Sequence, residues 1–414
     1  MTAPHTSTPT RAASAIHAAP HADGASPWPA AQPHAPWGAA LAPAVAEALA
    51  LPDIAQISVA AVDVVVVGAG IAGLSAARAA SQAGASVLTL EAAPVIGAGA
   101  TGRNAGILSA GINMGLADLP PDGPDAAMWP ATTRELLALV AEAAQPGVLL
   151  AASLTGALSL AETPAAARRL AREARARLAL GLRAELWSAA QVAERTGGRL
   201  DTRRVTQALW LPDEGRIQPV TLLARTAARA RAAGATLAGR AQVAGWEEQA
   251  GQWRVRLAGG RAITARGLIV ATGPVPAPTA RIYALAYALD LPADFPLFWD
   301  AAPYTYCDYR PGDGRLVTSG GRYGRAGGSP RETSYYQRLA RGAQHWLPEL
   351  AQATPSHAWA VDLDVSAELA PRLRDLNESG APGVAVEGLG ALGVLPGSIL
   401  GRRAGEQMAQ RLGA

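Results

Sequence analysis

The chain has 414 residues, half of them apolar, a formal net charge of +3 and a single cysteine, Cys307. That length buries a large core and suits two or three domains, while so small a charge, with arginines scattered through predicted helices, gives nucleic-acid binding no support. The sequence contains no lysine, which removes Schiff-base and P-loop lysine chemistry, and its lone thiol forms no intramolecular disulfide, which suits a reducing compartment such as the cytoplasm.

Residues 1 to about 40 are rich in Ala and Pro and read as a disordered arm without a signal-peptide core. Four of the six histidines (His5, His17, His21 and His34) fall inside it, and no metal cluster is predicted. Trp37 to Leu51 reads as a short Ala-rich helix ended by Pro52 and Asp53. No apolar run further on reaches the roughly 20 residues that a membrane-spanning helix requires, and the chain reads as soluble.

From Asp63 the pattern changes to a buried strand, Val64 to Val67, then glycines, a helix from Ile71 to Ala83 and a second strand, Ser86 to Leu90. In this unit Gly68 permits a tight turn, Gly70 lets a pyrophosphate approach the backbone, and Gly73 lets helix and strand pack closely. Ile71 and Ala72 form the first turn of the helix, whose N-terminus faces phosphate charge. Glu91, followed by Ala92, ends the second strand and would accept hydrogen bonds from ribose hydroxyls. The alternative is a glycine-rich turn that binds nothing, but strand, helix, strand and acid in register favour a dinucleotide, and the acid favours FAD or NAD over NADP.

Residues 130 to 195 have helical Arg/Ala/Leu/Glu spacing, clearest from Ala165 to Leu182, and are predicted to cover the substrate side. A turn at Pro212-Asp213-Glu214-Gly215 precedes a helix from Pro219 to Ala233, closed by Gly234. Thr236 to Leu257 and Ala262 to Thr272 predict successive strands with a hairpin at Gly259-Gly260. Residues 276 to 360 form a second substrate segment, and the last fifty or so return to strand, glycine-rich turn and helix.

The string after Glu91, AAPVIGAGATGRNAGILSAG, resembles the D-amino-acid oxidase superfamily of FAD-dependent oxidoreductases. Within it, Gly102-Arg103-Asn104-Ala105-Gly106 is similar to the γ-glutamylputrescine oxidase-like branch, near the glycine oxidase and sarcosine oxidase branches. LPDEGRIQPVTLLARTAARARAAGA, RGLIVATGP and APGVAVEGLGALGVLPGSILGRRAGE follow in the family's order, so the resemblance covers nearly everything after residue 60.

The resemblance implies an α/β fold with a Rossmann-like FAD-binding domain of the glutathione-reductase type (61–135, 213–275 and 361–414). An α+β substrate domain on a mixed or antiparallel sheet (136–212 and 276–360) is interleaved with it, after an N-terminal arm (1–60). It also implies FAD, taken as non-covalent on the spacing from Cys307 to Asp313, with Ala100, Thr101 and Arg103 near the pyrophosphate and Asn104, Ala105, Gly106 and Ile107 near the flavin. By the same analogy the backbone of Val243 meets the adenine, and Gly388, Leu389, Gly390, Ala391, Leu392, Gly393, Val394 and Leu395 pass the flavin pyrimidine. The helix after Pro396 would aim its N-terminus at the flavin N1/O2 edge and stabilise reduced flavin.

Members of the family take hydride from the carbon beside a neutral amine and deliver it to flavin N5, leaving an imine that water hydrolyses, so no acid or base is required and no catalytic residue is assigned. The family's arginine for a substrate carboxylate is missing: Trp359 is followed by Ala360, Val361, Asp362 and Leu363, and the C-terminal turn carries Ala391 and Leu392. That loss points to an amine without an α-carboxylate, or to one anchored elsewhere by Arg310 or Arg322, which otherwise read as ordinary arginines at strand ends. In PYTYCDYRPGDGRLVTSGG, strand alternation puts Tyr304 and Tyr306 on one face and Cys307 and Tyr309 on the other. Tyr306, Tyr309 and Arg310 are the substrate-facing candidates, with core or rim tyrosines as the alternative.

Sarcosine oxidases hold flavin through a cysteine in a comparable strand, but the spacing from Cys307 to Asp313 is one residue short, which favours a buried, unreactive thiol. They also activate oxygen with a lysine that this chain lacks, so the electron acceptor stays open between O2 and another such as a quinone or partner subunit. An NAD-linked dehydrogenase and a non-catalytic FAD-binding subunit of a heteromeric dehydrogenase are the rival readings.

Overall fold

A run of β-branched side chains suits a strand buried on both faces, and Val64–Val67 occupy the middle of such a strand. The computed structural model describes residues 35–38, 41–120, 123–274, 280–301, 305–324, 331–377 and 380–413, the side chains of 321–324 excepted; most of the predicted arm lies outside the described residues. Val64 and Val66 point into one core with Leu74, Ala76 and Leu400, while Val65 and Val67 point into another with Trp253, Val255 and Ile263. Each such valine contributes about 1.5 kcal/mol by leaving water.

The strand Ala61–Val67 pairs in parallel with Val87–Leu90 on one side and with Ala262–Val270 on the other. Thr236–Ala238 extends the sheet beyond Val87–Leu90, and the antiparallel strands Gln252–Leu257 and Val243–Gln249 extend it at the other edge. On the edge away from Ala61–Val67, Ala262–Val270 is shared by two neighbours. Its first half pairs with Gln252–Leu257, and Leu268–Val270 pair in parallel with Gly383–Glu387, which brings the C-terminal part of the chain back to the first sheet.

A second sheet runs in the order His357–Leu363, Ala280–Ala288, Arg315–Gly324, Thr305–Arg310, Leu297–Asp300, Ala157–Ala161, Gln207–Leu211 and Glu185–Trp187. It is mixed, because Leu297–Asp300 lies parallel to Ala157–Ala161 while the other pairs are antiparallel. The helix Glu332–Trp346 buries Tyr336, Leu339, Ala343 and Trp346 against one face. On the other face the helix Pro164–Ala179, whose Thr163 N-cap accepts the Ala166 N–H, covers Leu209, Leu211 and Leu297. Ile107–Leu108, Gly215–Ile217 and Ala152–Leu154 form a third, small antiparallel sheet.

The C-terminal helix Val394–Leu412 lies directly on the helix Ile71–Gln82. A methyl group on Gly401 would fall 2.1 Å from the Ala72 carbonyl oxygen, and one on Gly405 2.3 Å from that of Ala76, so only glycine lets the two backbones meet. The consequence is that both helix N-termini open at the same place. Among the described residues, no helix is long and apolar enough to cross a membrane.

Several boundaries differ from those read in the sequence. The predicted helix at Trp37–Leu51 is a 3-10 turn, Pro36–Gly38, and a separate helix, Pro43–Leu49, with Pro43 in its first turn. The helix predicted from Ala165 to Leu182 ends at Ala179, where Gly181 takes a φ of 72° and the Leu182 N–H closes onto Arg177. Between Thr236 and Leu257 there are three strands, because Ala250 and Gly251 both take positive φ and make a two-residue hairpin. His357–Leu363 belongs wholly to the second sheet, so the chain leaves that sheet after Leu363 and not at residue 361.

Candidate functional site

A cleft of about 1100 Å³, counting its open mouth, lies at the carboxyl ends of the parallel strands, where open α/β sheets bind their ligands. Gly68, at a φ of 100°, turns the chain there; a methyl on it would lie 2.5 Å from the Ala271 carbonyl oxygen. Gly70, Ile71 and Ala72 continue the wall. Gly73 sits one turn deeper, where a methyl would collide with the Gly68 carbonyl at 1.9 Å. Its work is close packing and not lining.

Glu91 faces the cleft and accepts the N–H of Ala69 at 2.9 Å and that of Ala93 at 3.1 Å, which fixes its carboxylate beside the turn. Ala92 is exposed just outside. Ala100, Thr101 and Asn104 line the cleft, whereas Arg103 turns away to donate to the Ala360 carbonyl at 2.5 Å, and burial lowers its pKa. Ala105, Gly106 and Ile107 run behind the wall, where Ile107 pairs with the strand Gly215–Ile217. Val243 opens the strand Val243–Gln249 and is not among the lining residues.

On the opposite wall, Gly388, Leu389, Gly390, Ala391, Gly393 and Val394 line the cleft. Leu392 and Leu395 do not: Leu395 is buried, and the Leu392 N–H is held by Asn113. Sequence reasoning missed Asn113. Its side chain donates to the Leu389 carbonyl at 3.1 Å and accepts the Ala391 N–H at 2.8 Å, and no local pattern in the sequence marks it. It missed Asp364 as well, which lines the cleft, accepts the Gly388 N–H at 2.8 Å on its carboxylate and accepts the Gly390 N–H on its carbonyl. Ile282, Val361 and Leu363 of the second sheet complete the floor.

The substrate-facing candidates separate. Tyr306 is half-buried with its ring 5.3 Å from that of Trp299. Tyr309 lies on the other face of its strand, in the core under the helix Glu332–Trp346, with its hydroxyl 3.3 Å from Asp290. Arg310 is buried too: it donates to Asp308 at 2.9 Å and to the Ile217 carbonyl at 2.8 Å, while Arg216 pairs with the other Asp308 oxygen at 3.0 Å. Its guanidinium is committed to the protein, so a free strand-end arginine is not found there. Tyr304 lies outside the described residues, as does the side chain of Arg322.

A related buried pair anchors the chain just ahead of Asn113. Glu214 accepts the Ala110 N–H at 2.9 Å and meets Arg177 at 3.1 Å. Burial opposes the Arg177 charge, but the carboxylates of Glu214 and Glu173 outweigh it and raise its pKa. The arginine therefore stays charged and pairs with Glu214, whose carboxylate holds the Ala110 N–H.

The arrangement fits an elongated, doubly anionic dinucleotide. Neither Gly70 nor Gly393, the N-caps of the two converging helices, offers a side-chain cap, and although the Ile71 N–H donates to the Thr101 hydroxyl at 3.3 Å, the positive ends of both dipoles face the cleft. Glycine lets a ligand approach the backbone at Gly68 and Gly70, and Glu91 presents its carboxylate to the same cleft. Glu91 and Asp364 are the charged side chains among the described lining residues, so the walls offer no cationic side chain there.

Comparison with known proteins agrees with this geometry. A family model described as FAD dependent oxidoreductase, DAO, matches residues 63–407. Glycine oxidase from Geobacillus kaustophilus superposes with a TM-score of 0.72 at 19% identity, covering 85% of this chain and 95% of that one. L-proline dehydrogenase from P. horikoshii gives 0.68 at 18%, covering 85% and 93%, and iminodiacetate oxidase from Chelativorans sp. BNC1 gives 0.68 at 23%, covering 83% and 94%. No curated protein matches the chain in sequence. With the glycine turn, the acid and the two open helix ends all inside the matched region, the chain belongs to the DAO family of FAD-dependent oxidoreductases.

Proposed function

We propose that this enzyme oxidises the C–N bond of an amine lacking an α-carboxylate to an imine, which water then hydrolyses. When bound, FAD supplies the hydride acceptor for such an oxidation. In this reading residues 61–135, 213–275 and 364–414, with Ile282, Val361 and Leu363 of the second sheet, hold the cofactor non-covalently, and the rest of 136–212 and 276–363 receives the substrate.

The observation that carries the choice of substrate is the commitment of Arg310 to the protein itself. The similar structures are named for glycine, L-proline and iminodiacetate, nitrogen compounds that all carry carboxylates. A carboxylate calls for a cationic partner, best a bidentate arginine. Here Arg310 is spent on Asp308 and the Ile217 carbonyl, and the positions that carry such an arginine in the family hold Ala360 and Ala391. The chain's own contribution is to position: Asn113 and Asp364 fix the turn Gly388–Gly393, and the apolar floor of Ile282, Val361 and Leu363 excludes water.

Anaerobic mixing of the FAD-loaded enzyme with a panel of primary and secondary amines and their α-carboxylated counterparts tests this. Loss of the oxidised-flavin absorbance with simple amines is expected. Bleaching by the amino acids alone would reverse the substrate assignment, and bleaching by neither would favour a non-catalytic FAD-binding role.

A further inference from the structure

The backbone from Arg103 to Gly106 carries the cleft-lining Asn104, and each of its four carbonyls has a donor from a different element. Trp359 donates its indole N–H to Arg103 at 2.8 Å, Arg310 reaches Ala105 at 3.5 Å, and the Ile217 N–H bonds Gly106 at 2.7 Å. The fourth donor is Trp37, whose indole N–H bonds the Asn104 carbonyl at 2.9 Å. Unlike the other three, it lies ahead of the family-matched region, residues 63–407.

Trp37 is only 4% exposed and is gripped on both sides. Its ring meets Trp359 edge-on at 6.0 Å, and the Arg310 guanidinium lies 4.6 Å over it. The same N-terminal stretch touches the loop a second time, where the Leu49 carbonyl, at the end of the helix Pro43–Leu49, accepts the Ile96 N–H at 3.0 Å. Between Ile96 and Asn104 lie Gly97, Gly99, Ala100, Thr101 and Gly102, all on the cleft wall. The segment thus holds the wall at both ends.

We propose that Trp37, in the segment ahead of the family-matched region, is a positioning residue for FAD that fixes the carbonyl of Asn104 and so the wall the cofactor rests on. A carbonyl released from its donor turns toward other partners, and with it goes the peptide N–H that follows; a backbone cradle loses its match to the ligand in that way. The inference rests on the FAD site and is independent of which amine is oxidised.

The test compares Trp37→Phe, which keeps the ring and removes the N–H, with Trp37→Ala, which also removes the ring contacts. FAD dissociation constants and release rates are read from flavin fluorescence, and melting temperatures are measured on the apoprotein. Trp37→Phe should weaken FAD about three- to tenfold, as loss of one hydrogen bond does, and lower the apoprotein melting temperature by no more than a few degrees. Trp37→Ala should weaken it further, by more than about tenfold. Unchanged FAD affinity in Trp37→Phe together with a lower apoprotein melting temperature in Trp37→Ala would reduce the residue to a structural role and overturn the proposal. Wild-type protein that binds no FAD would overturn the cofactor assignment itself.

Discussion

Cys307 lies in the core beneath the helix Glu332–Trp346, its sulfur 3.5 Å from the Thr318 hydroxyl, and burial pushes its pKa up to about 12. A thiol so placed is neither ionised nor reachable at neutral pH. Native protein should therefore resist alkylation while denatured protein takes up one equivalent, and acid precipitation should release all the FAD into solution; flavin retained in the pellet would contradict non-covalent binding. At this scale the sequence was legible wherever a role is local. Gly68, Gly70 and Glu91 do their work within a strand, a turn and a helix, so their spacing announces it. Arg310 was not legible as a buried group, because its neutralising Asp308 is shared with Arg216, 94 positions back along the chain, and only the fold brings them to one acid.

Elements are held to one another by a few such pairings. Glu142, at the end of the helix Met128–Ala143, accepts from Arg225 at 2.9 Å and pairs with Arg229 at 2.7 Å, both on the helix Pro219–Ala232 that carries the cleft residue Leu223. The hydrogen bond from Arg225 lowers the Glu142 pKa below its ordinary 4.5, against the effect of burial. A depressed carboxylate stabilises the fold above its unfolded pKa, and the contribution is lost as pH falls through the lower, folded value. Glu142→Gln should thus cost about 1 kcal/mol at neutral pH, and denaturant titrations should show that deficit shrinking as the pH drops below about 4. A deficit that persists undiminished in acid would mean that packing, not charge, joins these helices. Helices and strands were mostly foreseen, since apolar period and Gly or Pro punctuation are local signals; the hairpin at Ala250-Gly251 was missed because alanine at positive φ sends none.

At the scale of the molecule the cleft is a junction. Glycine-rich turns come from the first sheet, and Ile282, Val361 and Leu363 come from the second, so a ligand there touches both. Binding to the folded state alone adds stability by mass action, about 2.7 kcal/mol when free FAD stands at a hundred times its dissociation constant. Calorimetry with and without FAD should show the melting midpoint rise with FAD concentration across the whole transition. A rise confined to one of two separated transitions would mean that FAD holds the first sheet alone.

By itself the sequence determined the cofactor class and the parallel βαβ frame, because a dinucleotide is met by backbone, and backbone geometry is written in glycine, valine and their spacing. The tertiary structure decided the rest. Which face Tyr309 and Cys307 take relative to the cleft, that Arg310 is neutralised, and that Asn113, Asp364 and Trp37 brace the walls all depend on contacts between residues far apart in the chain. Such contacts leave no periodic trace, since each is one side chain meeting one backbone group across the folded core.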